Sequence, residues 1–217
     1  MGKEFLLKII SLKSVASTQL YAKELIRTKK ELVPFAVVSE MQTNGIGSRN
    51  NGWISQEGNL FLSFALPLAK LPHDLKLESA SIYFAYILKE TLTAFGSKVI
   101  LKWPNDFYID GKKVGGMLTT VSHETIICGV GINMCVAEKD FAKLDVEIDK
   151  KELLDVFFKN IEKTFLWKQV FSKYRLEFYT NKDFFTHKDG RKVSLNAVIL
   201  EDDGSINVDG ERIYSRR

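Results

Sequence analysis

Five consecutive residues, Lys102-Trp103-Pro104-Asn105-Asp106, set a cation, an amide and a carboxylate around a proline, and Gly111-Lys112-Lys113-Val114-Gly115-Gly116-Met117-Leu118 follows closely. The apolar run Val99-Ile100-Leu101 predicts a strand that delivers Lys102 to its end. There Pro104 removes a backbone donor and restricts the residue before it, so pairing stops. Lys102 is therefore expected at a strand end with its ammonium free. Phe107 to Asp110 and Lys112 to Leu118 read as two strands joined at Asp110-Gly111, a dipeptide suited to the positive φ angles of a tight hairpin turn. The paired glycines keep one stretch of that hairpin bare. A fixed positive charge above side-chain-free backbone could seat an anionic ligand that approaches closely. An ordinary hairpin with a solvated lysine is the other reading, because turn chemistry explains most of these glycines.

A second glycine loop lies upstream, Gln42-Thr43-Asn44-Gly45-Ile46-Gly47-Ser48-Arg49-Asn50-Asn51-Gly52-Trp53, after the apolar stretch Phe35 to Ser39. A dinucleotide-binding turn fails on context: the third glycine position is Asn50, no helical pattern follows, and no acidic residue ends a second strand about 20 residues on. No Walker A loop occurs. The loop still offers backbone N-H groups, the Arg49 guanidinium and the Trp53 ring, which could hold phosphate and stack on a base; a surface loop without ligand is the alternative. Ser14, Ser17, Thr18 and Gln19 stand where a helix should begin, able to cap it or to bond a neutral polar ligand. Gly129-Val130-Gly131-Ile132-Asn133-Met134 ends an apolar strand with two glycines and an amide, which suits either a pocket floor or a bulge.

The elements that must position these groups follow from periodicity. Ser17 to Lys30 and Leu77 to Phe95 read as helices, and Lys151 to Phe178 as a third helical region whose aromatic residues are core. Strands are expected at Phe5 to Leu12, Phe35 to Ser39, Leu60 to Leu66, Val99 to Lys102, Phe107 to Ile109, Val114 to Val121 and Thr125 to Val130. After Thr180 the pattern changes to short alternating segments with turns at Asp189-Gly190, Asp203-Gly204 and Asp209-Gly210. This predicts residues 1–180 as one unit and 181–217 as a small β module that packs on it. The fold class is α+β, a mixed sheet with helices mainly on one face.

Composition narrows the function. A chain of 217 residues with 45% hydrophobic and 27% charged residues can build a sizeable core. Its net charge of +4 comes from scattered basic residues, so no nucleic-acid partner is expected. No apolar stretch approaches the ~18 residues of a membrane span, and Lys8 interrupts Phe5 to Leu12, so no membrane partner or signal peptide is expected and a cytoplasmic location is the default. Cys128 and Cys135 read as reduced thiols, and His73, His123 and His187 lie in unlike contexts, which gives no metal site held by the protein.

Taken together these segments resemble the biotin protein ligase family. The order matches across most of the chain: Ser17-Thr18 at the first helix, Gln42-x-x-Gly45-x-Gly47 with Trp53 closing the loop, Gly58 to Ser63, Lys102 to Asp106, Lys113-x-x-Gly116 and Gly129-x-Gly131-Ile132-Asn133-Met134. The lysine-Trp-Pro-Asn-Asp element with the following Lys-x-x-Gly is the specific one. The resemblance implies an α+β catalytic domain and a C-terminal SH3-like β barrel. Only about 13 residues precede Ser14, too few for the helix-turn-helix domain of bifunctional members, so repressor activity is not expected.

The resemblance also implies a reaction. Biotin's carboxylate attacks the α-phosphate of ATP to give biotinyl-5'-AMP and pyrophosphate, and a lysine of a biotin carboxyl carrier domain, as in acetyl-CoA carboxylase, then displaces AMP. Such chemistry needs cations and oriented N-H donors more than an acid-base residue. Lys102 is the implied catalytic residue. Ser17, Thr18, Gln19, Gln42, Gly45, Ile46, Gly47, Ser48, Lys102, Gly129 and Gly131 would bind biotin, the two strand glycines leaving room for its bicycle. Arg49, Trp53, Asn59, Lys113 and Asn133 would bind ATP and the adenylate, with Mg2+ shielding the triphosphate and no tightly bound prosthetic group. A homodimer is left open. Family members usually carry arginines where this chain has Ser48 and Asn51, which leaves Arg49 as the loop's only basic side chain. A lipoate- or octanoate-transferring enzyme and a nucleotide-binding module without chemistry are the rival readings.

Overall fold

The computed structural model describes residues 7–47, 52–180, 183–188 and 190–214. The chain opens with β1 (Lys8–Val15), α1 (Thr18–Arg27), β2 (Phe35–Gln42), the short pair β3 (Gly45–Ile46) and β4 (Gly52–Trp53), and β5 (Leu60–Pro67). After α2 (Ala80–Ala94) come β6 (Ile100–Lys102), β7 (Asp106–Ile109), β8 (Lys112–Ser122) and β9 (Thr125–Ile132). Helices α3 (Lys150–Glu162) and α4 (Trp167–Thr180) precede β10 (Phe185–Lys188), β11 (Arg191–Ser194), β12 (Ile199–Leu200), β13 (Ile206–Val208) and β14 (Glu211–Ile213).

Seven strands form one sheet in the order β1-β2-β5-β9-β8-β7-β6. The β1/β2 pair is parallel and the other pairs are antiparallel, so the sheet is mixed. Central β5 is apolar except for Ser63 and buried along its length to Leu66, because both of its faces are covered. Phe64 points to one face, where its ring meets the edges of Phe84, Phe157 and Phe158 at centroid distances of 5.4, 5.7 and 5.8 Å. Ala65 points to the other and packs with Phe35, Val37 and Ile127 beneath Ala22 and Leu25 of α1. Helix α1 thus covers one face, while α2 with α3 and α4 covers the opposite one. Past the N-terminus of α1 the strands run on without helical cover, and a hollow opens there.

Sequence and structure part at three places. Of the first strand expected over Phe5 to Leu12, Phe5 and Leu6 lie outside the described residues; from Lys8 the strand runs on past Leu12 to Val15, in register with β2 up to Gln42. The long third helical region is two helices, broken around Thr164, whose φ is +47°. Helix α4 restarts because the Asp74 carboxylate, from another part of the chain, accepts from the backbone N-H groups of Trp167 and Lys168 at 2.8 and 3.1 Å. The helix expected from Leu77 begins as a single 3-10 turn before α2.

Edge strand β6 is closed by a side chain. The Leu101 N-H donates to Glu177 Oε1 of α4 at 2.7 Å, and Lys89 of α2 balances that carboxylate at 2.8 Å. Burial would pull the Lys89 ammonium's pKa down, but Glu177 and Glu90 outweigh it and hold it above its ordinary value. The Asp110-Gly111 turn has φ angles of +47° and +75°, as a two-residue hairpin turn requires.

The C-terminal strands make a β10/β11 pair and a three-stranded β12-β13-β14 sheet. Leu195, Val198, Leu200, Ile206 and Val208 join the apolar cluster of α2 and α4. Two indoles tie the 202–204 turn down: Trp103 Nε1 donates to the Gly204 carbonyl at 2.8 Å, and Trp167 Nε1 to the Asp202 carbonyl at 2.9 Å. Among the described residues no helix is long and apolar enough to cross a membrane.

Candidate active site

The hollow beyond α1 has a polar end. The Thr18 N-H and hydroxyl both donate to Gln42 Oε1, at 2.8 and 3.1 Å. The Ser63 hydroxyl lies 2.9 Å from Thr18 Oγ1 and 3.1 Å from Gln19 Oε1, and Gln19 Nε2 reaches Thr120 Oγ1 and the Ile127 carbonyl. Ser17 caps α1, accepting from the Leu20 N-H at a long 3.4 Å. Ser17, Thr18, Gln19 and Ser63 are buried and Gln42 half-buried, yet all five line the hollow, so an entering polar ligand meets a fixed set of donors and acceptors. Ser63 was not foreseen, although a lone hydroxyl in the apolar run Leu60 to Leu66 could have flagged it.

Gly129 and Gly131 form the floor, and the space their missing side chains leave is already used by protein. A Cβ on Gly129 would stand 2.6 Å from Gln19 Oε1, and one on Gly131 2.6 Å from the Trp53 ring. The expectation that both glycines leave open room is thereby corrected: they let Gln19 and Trp53 lie flat on the sheet. Gly45 serves Trp53 in the same way, pairing with it across the β3/β4 rung, and is not itself on the wall. Ile46 and Gly47 line the hollow, whereas Ser48 and Arg49 lie outside the described residues.

Trp53 is also a wall of a second hollow, formed with Ile54, Gln56, Asn133, Glu138 and Phe141. Its indole Nε1-H is buried and has no hydrogen-bond partner among the described residues. An unpaired buried donor between two cavities is open to a ligand acceptor. Asn133 lines this second hollow and donates to the Ala142 carbonyl at 3.1 Å. Asn59 lines neither, which corrects the expectation of a ligand contact. Its amide is spent on the loop beyond β9, donating to the Val136 carbonyl at 2.8 Å and accepting from the N-H groups of Cys135 and Val136, so it holds Asn133 in place.

At the far edge of the first hollow stand the charges. Asp106 and Lys113 both line it and pair at 2.6 Å. Asn105 braces this corner: its Nδ2 donates to the Met117 carbonyl, and its own carbonyl accepts from the Met117 N-H at 2.9 Å. Lys102 sits opposite Asp106 on the β6/β7 ladder but does not line the hollow. The expectation of a free ammonium at the strand end is corrected: it lies 5.0 Å from the Tyr108 ring centroid, 3.4 Å from the Tyr108 hydroxyl and 5.9 Å from the Phe184 ring centroid. Neither aromatic could be assigned from sequence, since Phe184 arrives from across the fold. Burial, and then the Asp106 carboxylate, push the Tyr108 hydroxyl up to about 12, so it stays neutral beside the lysine. Among the described residues, Lys102 and Lys113 bring two ammonium groups to the Asp106 corner, a place fit to receive an anion.

A polar reader, a flat floor, an aromatic partition and a cationic edge thus follow one another along the uncovered face. Residues 11–133, which contain nearly all of these groups, match the model of the biotin/lipoate A/B protein ligase family. The chain belongs to this family. It is 34% identical over 137 residues to the bifunctional ligase/repressor BirA of Bacillus spizizenii, a match covering 58% of this chain and 40% of that protein. It therefore spans less than half the length of that relative. The fold resembles the biotin acetyl coenzyme A carboxylase synthetase of Helicobacter pylori, solved with biotinylated ATP, at a TM-score of 0.92 and 36% identity over 96% of this chain and 100% of that one. The biotin protein ligase of Aquifex aeolicus, solved with biotin and ATP, has a TM-score of 0.74 and 27% identity over 95% of this chain and 94% of that one.

Proposed function

We propose that this family member is a biotin protein ligase: it activates biotin with ATP to biotinyl-5'-AMP and transfers the biotin to a lysine of a biotin carboxyl carrier domain. The observation that carries the reading is a hollow lined by a neutral polar reader at one end and by Asp106 and Lys113 at the other, with Lys102 paired to Asp106 on the adjoining strand. Biotin has this polarity, a ureido head and a carboxylate tail. A lipoyl or octanoyl group has no hydrogen-bonding head for the reader, so it gains nothing from the Thr18, Gln19 and Gln42 groups.

In this reading Ser17, Thr18 and Gln42 bond the ureido ring, with Gln19 and Ser63 fixing their orientation, and the Gly129-Gly131 floor carries the bicycle. The carboxylate reaches the cationic edge, where Lys102 bridges it and the α-phosphate and offsets the charge that develops as they join. Lys113 exchanges its Asp106 partner for phosphate oxygens. Asp106, which lines the hollow, is the carboxylate that would meet a magnesium ion brought with ATP, where the ion would shield phosphate charge. Trp53 stands between acyl and adenosine, offering its ring and its unpaired N-H, while Asn133 faces the adenosine hollow. Ser48 and Arg49 lie outside the described residues and keep the roles that the resemblance implies, Ser48 toward biotin and Arg49 toward phosphate, and exclusion of water by the 42–53 loop would protect the acyl-adenylate.

We further assign residues 1–180 to the biotin- and ATP-binding unit and 181–217 to a C-terminal module of SH3-like form, in a protein that works in the cytoplasm on an acetyl-CoA carboxylase or related carrier. Incubation with biotin, MgATP and an apo carrier domain tests the function. Mass spectrometry should find one biotinyl group on the carrier lysine, and none when lipoate or octanoate replaces biotin; acylation by lipoate but not biotin would overturn the reading.

A further inference from the structure

Lys102 does not line the hollow, although Asp106, its partner on the neighbouring strand, does, so where its flexible four-carbon chain ends matters to the site. Two aromatic rings fix that end. Tyr108 lies under the ammonium, and Phe184 meets Tyr108 edge to face, with centroids 4.9 Å apart and planes at 66°, while its own ring is 5.9 Å from Lys102 Nζ. Phe184 precedes β10 and is pinned there by the Leu195 N-H, which donates to its carbonyl at 2.9 Å. The segment that supplies it therefore belongs to the C-terminal strands, far in sequence from Lys102.

We propose that Phe184 is a positioning residue for Lys102: with Tyr108 it forms an aromatic seat through which the C-terminal β segment holds the ammonium toward the cationic edge of the site. This rests on the ligase reading given above. An aromatic face attracts an ammonium and fixes its position while leaving its charge in place. A cation held in place before the substrate arrives costs less to orient during the reaction.

The test uses the full chain and pyrophosphate exchange driven by biotin and ATP. Phe184→Leu, which keeps apolar bulk but removes the ring, should lower kcat about tenfold with the biotin KM within about twofold, the scale of one lost, partly desolvated cation-π contact. Phe184→Tyr should restore the rate. In a Lys102→Ala background Phe184→Leu should add no further loss, because a residue acting through Lys102 has nothing left to position. Independently of activity, proton NMR should find the Lys102 ε-methylene protons shifted upfield by the rings, and part of that shift lost in Phe184→Leu. An unchanged kcat, or an equal loss with and without Lys102, overturns the positioning role and leaves the ligase reading standing. A wild-type chain with the upfield shift but no biotin-dependent exchange overturns the ligase reading, and the role proposed for Phe184 in it as well.

Discussion

The indole of Trp103, the residue after Lys102, donates its Nε1-H to the carbonyl oxygen of Gly204 at 2.8 Å. The most distinctive sequence element of the chain is thereby anchored to a turn near its C-terminus. Trp103→Phe keeps most of the packing but leaves that carbonyl without its buried donor, a loss worth about 1 to 3 kcal/mol. Urea unfolding should show that decrease with an unchanged m-value. A variant as stable as wild type would mean that water replaces the indole at no cost.

Gly131 and Gly111 separate two reasons for a glycine. A methyl on Gly131 would press into the Trp53 ring at 2.6 Å, whereas one on Gly111 meets nothing within 4 Å and is opposed only by its φ of +75°. Gly131→Ala should therefore displace Trp53 and weaken nucleotide binding about tenfold or more. Gly111→Ala should cost about 1 kcal/mol of stability with binding intact. Calorimetric titration with a non-hydrolysable ATP analogue and thermal melts of both variants distinguish the outcomes; equal nucleotide affinity in both would contradict the floor's role in seating Trp53.

Asp203 carries a pH dependence. Burial works to raise its pKa, but bonds from Ser205 and the charges of Arg212 and Lys76 outweigh that effect and hold it below the ordinary 3.8. A depressed folded value stabilises the protein fully above the unfolded pKa, and the contribution is lost as pH falls through the folded one. The melting-temperature gap between wild type and Asp203→Asn should stay constant from about pH 7 to pH 5 and close below about pH 4. A gap that persists at about pH 2 would show that the carboxylate's charge is not its source.

Sequence carries the elements better than the contacts that aim them. The sheet strands, α1 and α2 follow from local periodicity, and the Asp110-Gly111 hairpin from two residues. The break between α3 and α4 is hidden because Phe165 continues the apolar spacing and the cap, Asp74, lies 93 residues from Trp167. The reader was legible as Ser17 and Thr18 at a helix entrance and Gln42 at the head of the glycine loop, and Lys102 as a strand-end cation. What escaped is long-range: Phe184 on Tyr108, Gln19 filling the space at Gly129, and Asn59 turned to the 133–136 loop. No spacing rule encodes a contact set by how a module docks.

Trp53 borders both hollows, so its removal should merge them. Trp53→Ala should weaken biotinyl-5'-AMP, which spans the partition, more than biotin or ATP alone, by about 1 to 3 kcal/mol as for other base-aromatic contacts. Calorimetry with the three ligands checks the order. Equal losses for all three would make Trp53 a packing residue.

Pyrophosphate exchange into ATP, measured with biotin or lipoate as the sole acid in wild type and Lys102→Ala, tests the central claim most directly. The account predicts exchange with biotin only, falling about 10²-fold or more in a Lys102→Ala protein that still folds and still binds biotin. Exchange that is indifferent to the acid supplied, or undiminished without Lys102, would contradict it.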